Sequence, residues 1–420
     1  MIEKIVQSIK MEHKKPFCAY LYDLSKLRHH ATRLITTLPS MCQLFYAIKA
    51  NSDPILLKAL APIVRGFEVA SLGEIEKVRA IDENIPILFG GPGKTYEEIE
   101  GAIHHHVTLF HVESTHELRL INHIAKQKGT RVSILLRVNL RQAVPNAQLK
   151  MAGAPTQFGI DEVEIPSAIS IAKRMSNINL HGFHFHAMSN NCDSKTHASF
   201  VDHCFKTAKK WKEEWSLDIS YLNVGGGIGV NYQNTEDQFN WDDFINRLDI
   251  VMEKHHDITW TLVFECGRYI TSSCGYYAAE IVDIKQNHGQ YFCVVRGGSH
   301  HFRLPAAWKQ SHPFKIVPIE KWAYPFERPE VTETSINVAG ELCTPNDILA
   351  REIQVPRIRV GDILLFSYTG AYGWAISHHD FLCHPHPEHL YIDSDRIMRS
   401  NSMLENRYSG GEKYSSSLPS

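Results

Sequence analysis

The stretch QLFYAIKAN, residues 43–51, contains an apolar and aromatic run, 43–48, that is followed directly by Lys49. Seven similar runs come later in the chain, and segments with helical periodicity lie between them. The eight runs span residues 43–48, 66–70, 86–90, 108–112, 132–138, 180–186, 220–224 and 259–265. Because strands that alternate with helices indicate a parallel sheet, eight such units predict a closed (β/α)₈ barrel. An open doubly wound sheet is the alternative.

The sequence changes in character near residue 270. Strand-like runs at 276–284, 291–296, 335–339, 362–368 and 390–392 are separated by Gly, Pro and Asn, which is typical of an all-β domain. We therefore predict a barrel over residues 24–270 and a β-barrel or β-sandwich domain from residues 1–23 and 271–398. The Ser-, Gly- and Asn-rich residues 399–420 are predicted to form a disordered tail.

Composition excludes several classes of function. The chain has 420 residues with 44 basic and 46 acidic side chains, a balance that supports neither a nucleic-acid partner nor a membrane surface. No apolar run has the length that a bilayer requires, and the N-terminus is unlike a secretory signal. Nine scattered cysteines predict reduced thiols in a cytoplasmic protein. The 25 histidines show no zinc-type spacing, so we predict no metal site.

Polar and glycine-rich motifs end the eight predicted strands, where a barrel of this class carries its active site. Lys49 would lie in a desolvated barrel mouth, where its pKa falls and its amine suits a Schiff base. The loop GGGIG at 225–229 brings backbone N–H groups close enough for a phosphate. It lacks the third glycine of a dinucleotide fingerprint, so a monophosphate cofactor fits better than NAD or ATP. A tight turn is the competing interpretation, above all for GGPGK at 90–94.

Six motifs, in this order, resemble those of the fold-type III pyridoxal 5′-phosphate (PLP) decarboxylases, which act on diaminopimelate, ornithine and arginine. The motifs lie at 46–51, 184–190, 223–229, 265–269, 340–347 and 370–372, and the resemblance covers roughly residues 17–393. It is most extensive for members that decarboxylate citryl-diaminopropionate in the synthesis of siderophores of the staphyloferrin B type. The resemblance implies an alanine racemase-like fold, PLP as cofactor and a homodimer with shared active sites.

The resemblance also implies roles for single residues in binding the cofactor. Lys49 would bind PLP as a Schiff base, His186 would stack on the pyridine ring, and Arg137 would lie near the phenolic oxygen. Glu265 would pair with the pyridine nitrogen and keep it protonated, which favours decarboxylation over racemisation. The residues that would surround the phosphate are Ser189, Gly226, Gly227, Gly267, Arg268 and Tyr372.

Two further residues, Cys343 and Asp347, would enter the partner's pocket across the dimer interface, with Cys343 as the acid that protonates the product. Thr344 stands where diaminopimelate and polyamine-forming relatives carry an acidic residue for the distal end of the substrate. Because threonine carries no charge, the distal ammonium of a basic substrate would lose a charged partner, and such substrates are predicted to bind less tightly. Arginine and histidine suit a polycarboxylate such as a citryl group, and the candidate substrate-binding residues are Arg303, His301, His378 and Asp347.

The predicted enzyme is thus a carboxy-lyase that removes the α-carboxylate of citryl-L-2,3-diaminopropionate and leaves citryl-diaminoethane. A diaminopimelate or other basic amino-acid decarboxylase is the alternative within the family. A non-catalytic PLP-binding regulator is the alternative from another class, and intact Lys49, Glu265 and Cys343 argue against it.

Overall fold

The computed structural model describes residues 1–13, 15–141, 149–150, 155–394 and 396–399. The predicted tail lies outside this part of the chain, except for residue 399. Two compact units are present. One comprises Lys26–Ser273 and Tyr368–Ile376, and the other Met1–Ser25, Cys274–Ser367 and the described residues from Ser377 onward. The first unit therefore includes a short segment, Tyr368–Ile376, that the sequence analysis assigned to the second domain.

The first unit contains a closed ring of eight parallel strands. Each strand pairs with the next one along the chain, and the eighth pairs with the first. In order, they are Cys42–Ala47, Gly66–Val69, Ile87–Phe89, Leu109–Val112, Val132–Asn139, Ile178–His184, Tyr221–Asn223 and Thr261–Cys266. The predicted (β/α)₈ barrel is confirmed, and the open sheet is wrong.

Helices connect the barrel strands, and side-chain caps begin most of them. The Asp53 carboxylate accepts the N–H of Ile55, and Thr95 and Glu98 form a capping box, so backbone groups left free at the helix starts find partners. The helices are Leu24–Thr37, Pro54–Leu60, Leu72–Arg79, Tyr96–His104, Thr115–Gln127, Ile165–Lys173, Ser194–Trp215, Trp241–Lys254 and Arg268–Thr271. Short strands at Leu149–Lys150, Ile160–Asp161 and Met188–Ser189 lie outside the ring.

The second unit is built on a separate sheet. Its strands are Cys18–Asp23, Gly275–Asn287, Gln290–Val295, Phe314–Val317, Glu330–Ala339, Ile348–Arg359, Ile363–Phe366, Glu388–Asp393 and Arg396–Arg399. Cys18–Asp23 pairs with Gly275–Asn287 on one side and Glu388–Asp393 on the other, so the N-terminal strand belongs to this sheet. The helix Ile2–Glu12 packs its apolar face on the sheet, and Leu304–Trp308 is a second, short helix.

Among the described helices, none combines the length and the apolar character that crossing a membrane requires.

One buried histidine of the barrel unit predicts a pH dependence of stability. His197 is fully buried between the rings of Phe239 and Phe244, and neither ring nitrogen has a hydrogen-bond partner among the described residues. Burial lowers the pKa of His197 from 6.5 to about 4. The folded chain then binds fewer protons than the unfolded chain between these pH values, so stability is full above pH 6.5 and falls as the pH drops towards 4.

We expect His197→Leu to reduce this acid sensitivity. Between pH 7 and pH 5 the wild type should lose about 2 kcal/mol more unfolding free energy than the variant. Thermal unfolding of both proteins at the two pH values measures the difference. Equal losses would show that His197 does not titrate on unfolding.

Candidate active site

A polar layer of side chains lies above an apolar layer inside the barrel. Successive side chains of a strand face opposite sides, so residues two apart on one strand face the same side. Leu109, Leu135 and Val263 belong to one buried apolar cluster. Two residues further along the same three strands, the buried side chains are His111, Arg137 and Glu265. The barrel therefore presents polar groups towards the carboxyl ends of its strands, where sites of this fold form.

Lys49 follows the first barrel strand and lies beside the carboxylate of Glu68. Its Nζ is 3.2 Å and 3.4 Å from the two carboxylate oxygens of Glu68, at the end of the second strand. Burial lowers the pKa of Lys49, but the charges of Glu68, Tyr372 and Glu265 raise it above its ordinary value. The predicted fall in the pKa of Lys49 is therefore wrong, because the sequence does not reveal the paired carboxylate.

Glu68 is a site residue that the sequence analysis did not single out. Its carboxylate is buried, and burial raises its pKa from the ordinary value, with the neighbouring Lys49 acting in the opposite direction. The carboxylate therefore pairs with the Lys49 amine and favours its protonated form. The sequence does place Glu68 near the end of a predicted strand, and this position could have identified it as a candidate site residue.

His186 and the glycine loop are in contact. The N–H of Gly226 donates to Nδ1 of His186 over 3.1 Å, which leaves the ring proton on Nε2. Burial, with the charges of Lys49 and Arg137, lowers the pKa of His186 well below its ordinary value, so the ring is neutral. A Cβ on Gly225 would lie 2.5 Å from Nδ1 of His186, and a Cβ on Gly226 only 2.1 Å from the carbonyl oxygen of Glu265. Only glycine permits this close approach.

Arg268 and Tyr372 meet next to the first strand. The Arg268 guanidinium is buried, donates to the Tyr232 hydroxyl over 2.8 Å and lies 4.4 Å from the ring centroid of Tyr372. The Tyr372 N–H donates to the carbonyl oxygen of Ala50, directly after Lys49. A Cβ on Gly267 would lie 2.9 Å from Cβ of Ala50. These contacts bring Gly267, Arg268 and Tyr372 together near Lys49. Ser189, the other predicted phosphate-binding side chain, lies in the short strand Met188–Ser189.

Arg137 is paired with a carboxylate that the sequence analysis also missed. Nη1 of Arg137 donates to Glu113 over 2.6 Å, and both side chains are buried. The same carboxylate accepts the N–H groups of Gly91 and Gly159. Glu113 thus fixes the direction of Arg137 and offsets its charge.

The GGPGK segment serves a structural purpose. Lys94 is buried, and its amine donates to Glu117 over 2.7 Å and to the carbonyl oxygens of Gly91 and His111 over 2.8 Å. The amine therefore links the ends of the third and fourth strands, and its three N–H groups all donate hydrogen bonds within the protein. These contacts favour the tight-turn interpretation of this segment over a phosphate loop.

The remaining candidates lie in the second unit. Cys343 and His378 are exposed, and so is Arg303, whose N–H donates to Oγ of Ser377. Asp347 is buried, and its carboxylate accepts the N–H groups of Ser299 over 2.6 Å and Leu342 over 2.9 Å. His301 is buried with Nδ1 3.5 Å from Sγ of Cys18 and 3.3 Å from the Tyr277 hydroxyl. A direct substrate contact of Asp347 and His301 stays a prediction.

The barrel residues fit a pyridine phosphate chemically. A lysine amine, a neutral histidine ring, a buried carboxylate and a guanidinium meet at one barrel end, as do glycines at which a Cβ would collide with backbone. Each matches one part of PLP: the aldehyde, the ring, the ring nitrogen and the phosphate. Because these positions carry no side chain, a phosphate can approach the backbone of the loop closely.

Comparison with known proteins agrees with this fit. Residues 24–272 match the family model described as "Pyridoxal-dependent decarboxylase, pyridoxal binding domain". The chain is 46% identical over 394 residues to the Staphylococcus aureus 2-[(L-alanin-3-ylcarbamoyl)methyl]-2-hydroxybutanedioate decarboxylase, covering 93% of this chain and 98% of the relative. It is 28% identical over 378 residues to the diaminopimelate decarboxylase of Campylobacter jejuni, covering 88% and 89%. The crystal structure of Helicobacter pylori diaminopimelate decarboxylase with L-lysine matches with a TM-score of 0.80 and 26% identity, covering 95% of both chains.

Proposed function

The chain belongs to the pyridoxal-dependent decarboxylases, and on that basis we propose that it decarboxylates citryl-L-2,3-diaminopropionate to citryl-diaminoethane in the synthesis of a carboxylate siderophore. The observation that carries this proposal is the 46% identity, over nearly the full chain, to a decarboxylase named for this compound. The compound is an α-amino acid joined through an amide to a citryl group with two carboxylates. The amino-acid end is the part that meets the cofactor.

Lys49 would hold PLP through its amine, with the neutral ring of His186 against the pyridine ring and Glu265 at the ring nitrogen. Ser189, Gly226, Gly227, Gly267, Arg268 and Tyr372 would bind the phosphate. When bound, PLP supplies an electron sink for the pair of electrons that CO₂ leaves at the α-carbon.

The protein's own groups have separate tasks in this reaction. Glu68 would hold the Lys49 amine in place, since its carboxylate lies 3.2 Å from Nζ. Glu265 would pair with the ring nitrogen and so favour its protonated form. His186 is uncharged and donates no proton through Nδ1, because that atom accepts the Gly226 N–H. Arg137, held by Glu113, places a positive charge where the phenolic oxygen would lie.

The α-carbon requires a proton after the carboxylate leaves, and we assign that step to the thiol of Cys343. The S–H bond breaks as the new C–H bond forms, and the thiolate regains its proton from solvent. Cys343 would come from the partner subunit of a homodimer, so that neither pocket is complete in a monomer. Asp347 supports the same loop, because its buried carboxylate accepts the Leu342 N–H next to Cys343.

The distal citryl group would meet side chains of the second unit. Arg303 and His378 are exposed and free to reach an anion, and Thr344 offers no carboxylate that would repel one. His301 would contribute only if its contacts with Cys18 and Tyr277 rearranged. The free thiols of all nine cysteines support a reducing, cytoplasmic location.

We expect Arg303→Ala to raise KM for the citryl substrate about 10-fold or more and to leave PLP affinity unchanged, because a charge-assisted contact to a carboxylate is lost. Steady-state kinetics and a PLP titration provide the two measurements. Arg351→Ala is the matched control, since Arg351 is another exposed arginine of the second unit. An unchanged KM in Arg303→Ala would remove this residue from the substrate site.

The substrate is tested by CO₂ release from citryl-diaminopropionate, meso-diaminopimelate, lysine and ornithine under the same conditions. Release from the citryl compound alone supports the proposal. Release mainly from diaminopimelate or another basic amino acid would keep the fold and cofactor but overturn the substrate. No release from any of the four, with PLP bound, would favour a non-catalytic regulator.

A further inference from the structure

Glu265 is surrounded by a polar network that the reaction described above does not use. Asn223, at the end of the seventh barrel strand, accepts the Gly225 N–H through Oδ1 over 2.8 Å. Its Nδ2 donates to Oε1 of Glu265 over 2.6 Å and is 3.2 Å from Nε2 of His111. All three side chains are buried. The Gly225 contact fixes which end of the amide is oxygen, and therefore which end donates.

This orientation determines the tautomer of His111. Because Nδ2 of Asn223 is a donor, Nε2 of His111 must accept, and the ring proton lies on Nδ1. Nδ1 is 3.5 Å from Oε1 of Glu265, without a hydrogen bond to it in this structure. Hydrogen bonds thus link the glycine loop to the asparagine and the asparagine to both the carboxylate and His111.

A second histidine approaches the other oxygen of the same carboxylate. Nε2 of His184 is 3.4 Å from Oε2 of Glu265, and its ring centroid is 4.1 Å from that of His111. Burial and neighbouring positive or imidazole groups lower the pKa of both histidines well below the ordinary value. The two rings are therefore neutral, and each brings one nitrogen to within 3.5 Å of the Glu265 carboxylate without adding a charge.

We propose that His111 and His184, with His111 oriented by Asn223, are positioning residues that keep the Glu265 carboxylate directed at the cofactor's ring nitrogen. A carboxylate removed from water loses its hydration, and N–H donors from fixed partners replace that loss. Neutral donors suit this task better than charged ones, because a protonated histidine would compete with the ring nitrogen for Glu265. The inference rests on the proposed function, in which Glu265 meets that nitrogen.

The test compares variants that differ in one donor. His111→Leu removes the Nδ1 donor, whereas His111→Asn can return an N–H near the same place. His197→Leu is the matched control, because His197 is an equally buried histidine of the same unit. Apo-protein from each full-length variant is titrated with PLP and with 1-deaza-PLP, in which a C–H group replaces the ring nitrogen, and both dissociation constants are measured by absorbance.

We expect His111→Leu to weaken PLP binding about 10- to 100-fold, the loss typical of a hydrogen bond to a charged group, and to leave 1-deaza-PLP binding nearly unchanged. His111→Asn should regain most of the PLP affinity, and His197→Leu should match the wild type. Equal losses for both cofactors would overturn the proposal, because a purely structural defect does not distinguish the ring nitrogen.

A metal ion provides the second way to overturn the inference. The candidate ligand atoms of His111, His184 and Glu265 all lie within 4.8 Å of one another. Stoichiometric zinc in protein purified without a tag, lost in His111→Leu, would make the histidines metal ligands. Failure of the wild type to bind PLP would instead refute the proposed function, whereas normal PLP binding and turnover in both the wild type and His111→Leu would refute only the positioning role.

Discussion

Replacing Lys49 by alanine is expected to reduce CO₂ release by at least on the order of 10⁴-fold, as is typical when a covalent nucleophile is removed. Lys49 is the amine at the end of the first barrel strand, in contact with Glu68, and the charges of Glu265 and Tyr372 also act on it. A free amine in solution cannot replace this placement, because the fold fixes the amine near the residues that hold the cofactor.

Two measurements check this expectation. Turnover is compared for the wild type, Lys49→Ala and Lys77→Ala, a control in which an exposed lysine bonded to Ser52 is lost. Borohydride reduction followed by mass spectrometry should add the cofactor's mass to the wild type and to Lys77→Ala but not to Lys49→Ala. Covalent cofactor in Lys49→Ala, or turnover within 10-fold of the wild type, would assign the lysine elsewhere.

The barrel could be predicted from sequence because its signal is local. Each of the eight strands is a short apolar run, and the strand Cys42–Ala47 overlaps the run 43–48 almost completely. The strand Ile348–Arg359 was missed because one of its faces is exposed and carries arginines, and because it contains Pro356. Its pairing with Glu330–Ala339, which no local pattern reveals, accounts for its formation.

For the candidate site, the sequence indicates the residues at the strand ends but not their partners. Lys49, His186 and Glu265 belong to recognisable motifs at strand ends, and the structure brings them to one end of the barrel. Their partners, such as Glu68 and Glu113, come from other strands. Such pairings depend on how the ring closes, so the sequence does not show which carboxylate meets which cation. The pKa of Lys49 was mispredicted for this reason, since burial alone would lower it and the paired Glu68 raises it.

Cys343→Ala is expected to lower kcat by about 10²- to 10³-fold, because the α-carbon then takes its proton from a less well placed donor. The exposed Cys343 follows Leu342, which is held by Asp347. If a homodimer shares its sites, each pocket combines Lys49 of one subunit with Cys343 of the other. Two inactive variants that lack different halves of the pocket should then complement each other.

Mixing equal amounts of Lys49→Ala and Cys343→Ala subunits after dissociation is therefore expected to restore about a quarter of wild-type activity, because half of the dimers are mixed and each has one complete pocket. The matched control mixes Lys49→Ala with the double variant Lys49→Ala/Cys343→Ala, in which no combination contains both groups. Activity that stays at the level of Cys343→Ala alone would show that the cysteine does not act across an interface. Rescue, by contrast, requires both a dimer and a shared pocket, and a monomeric enzyme cannot produce it.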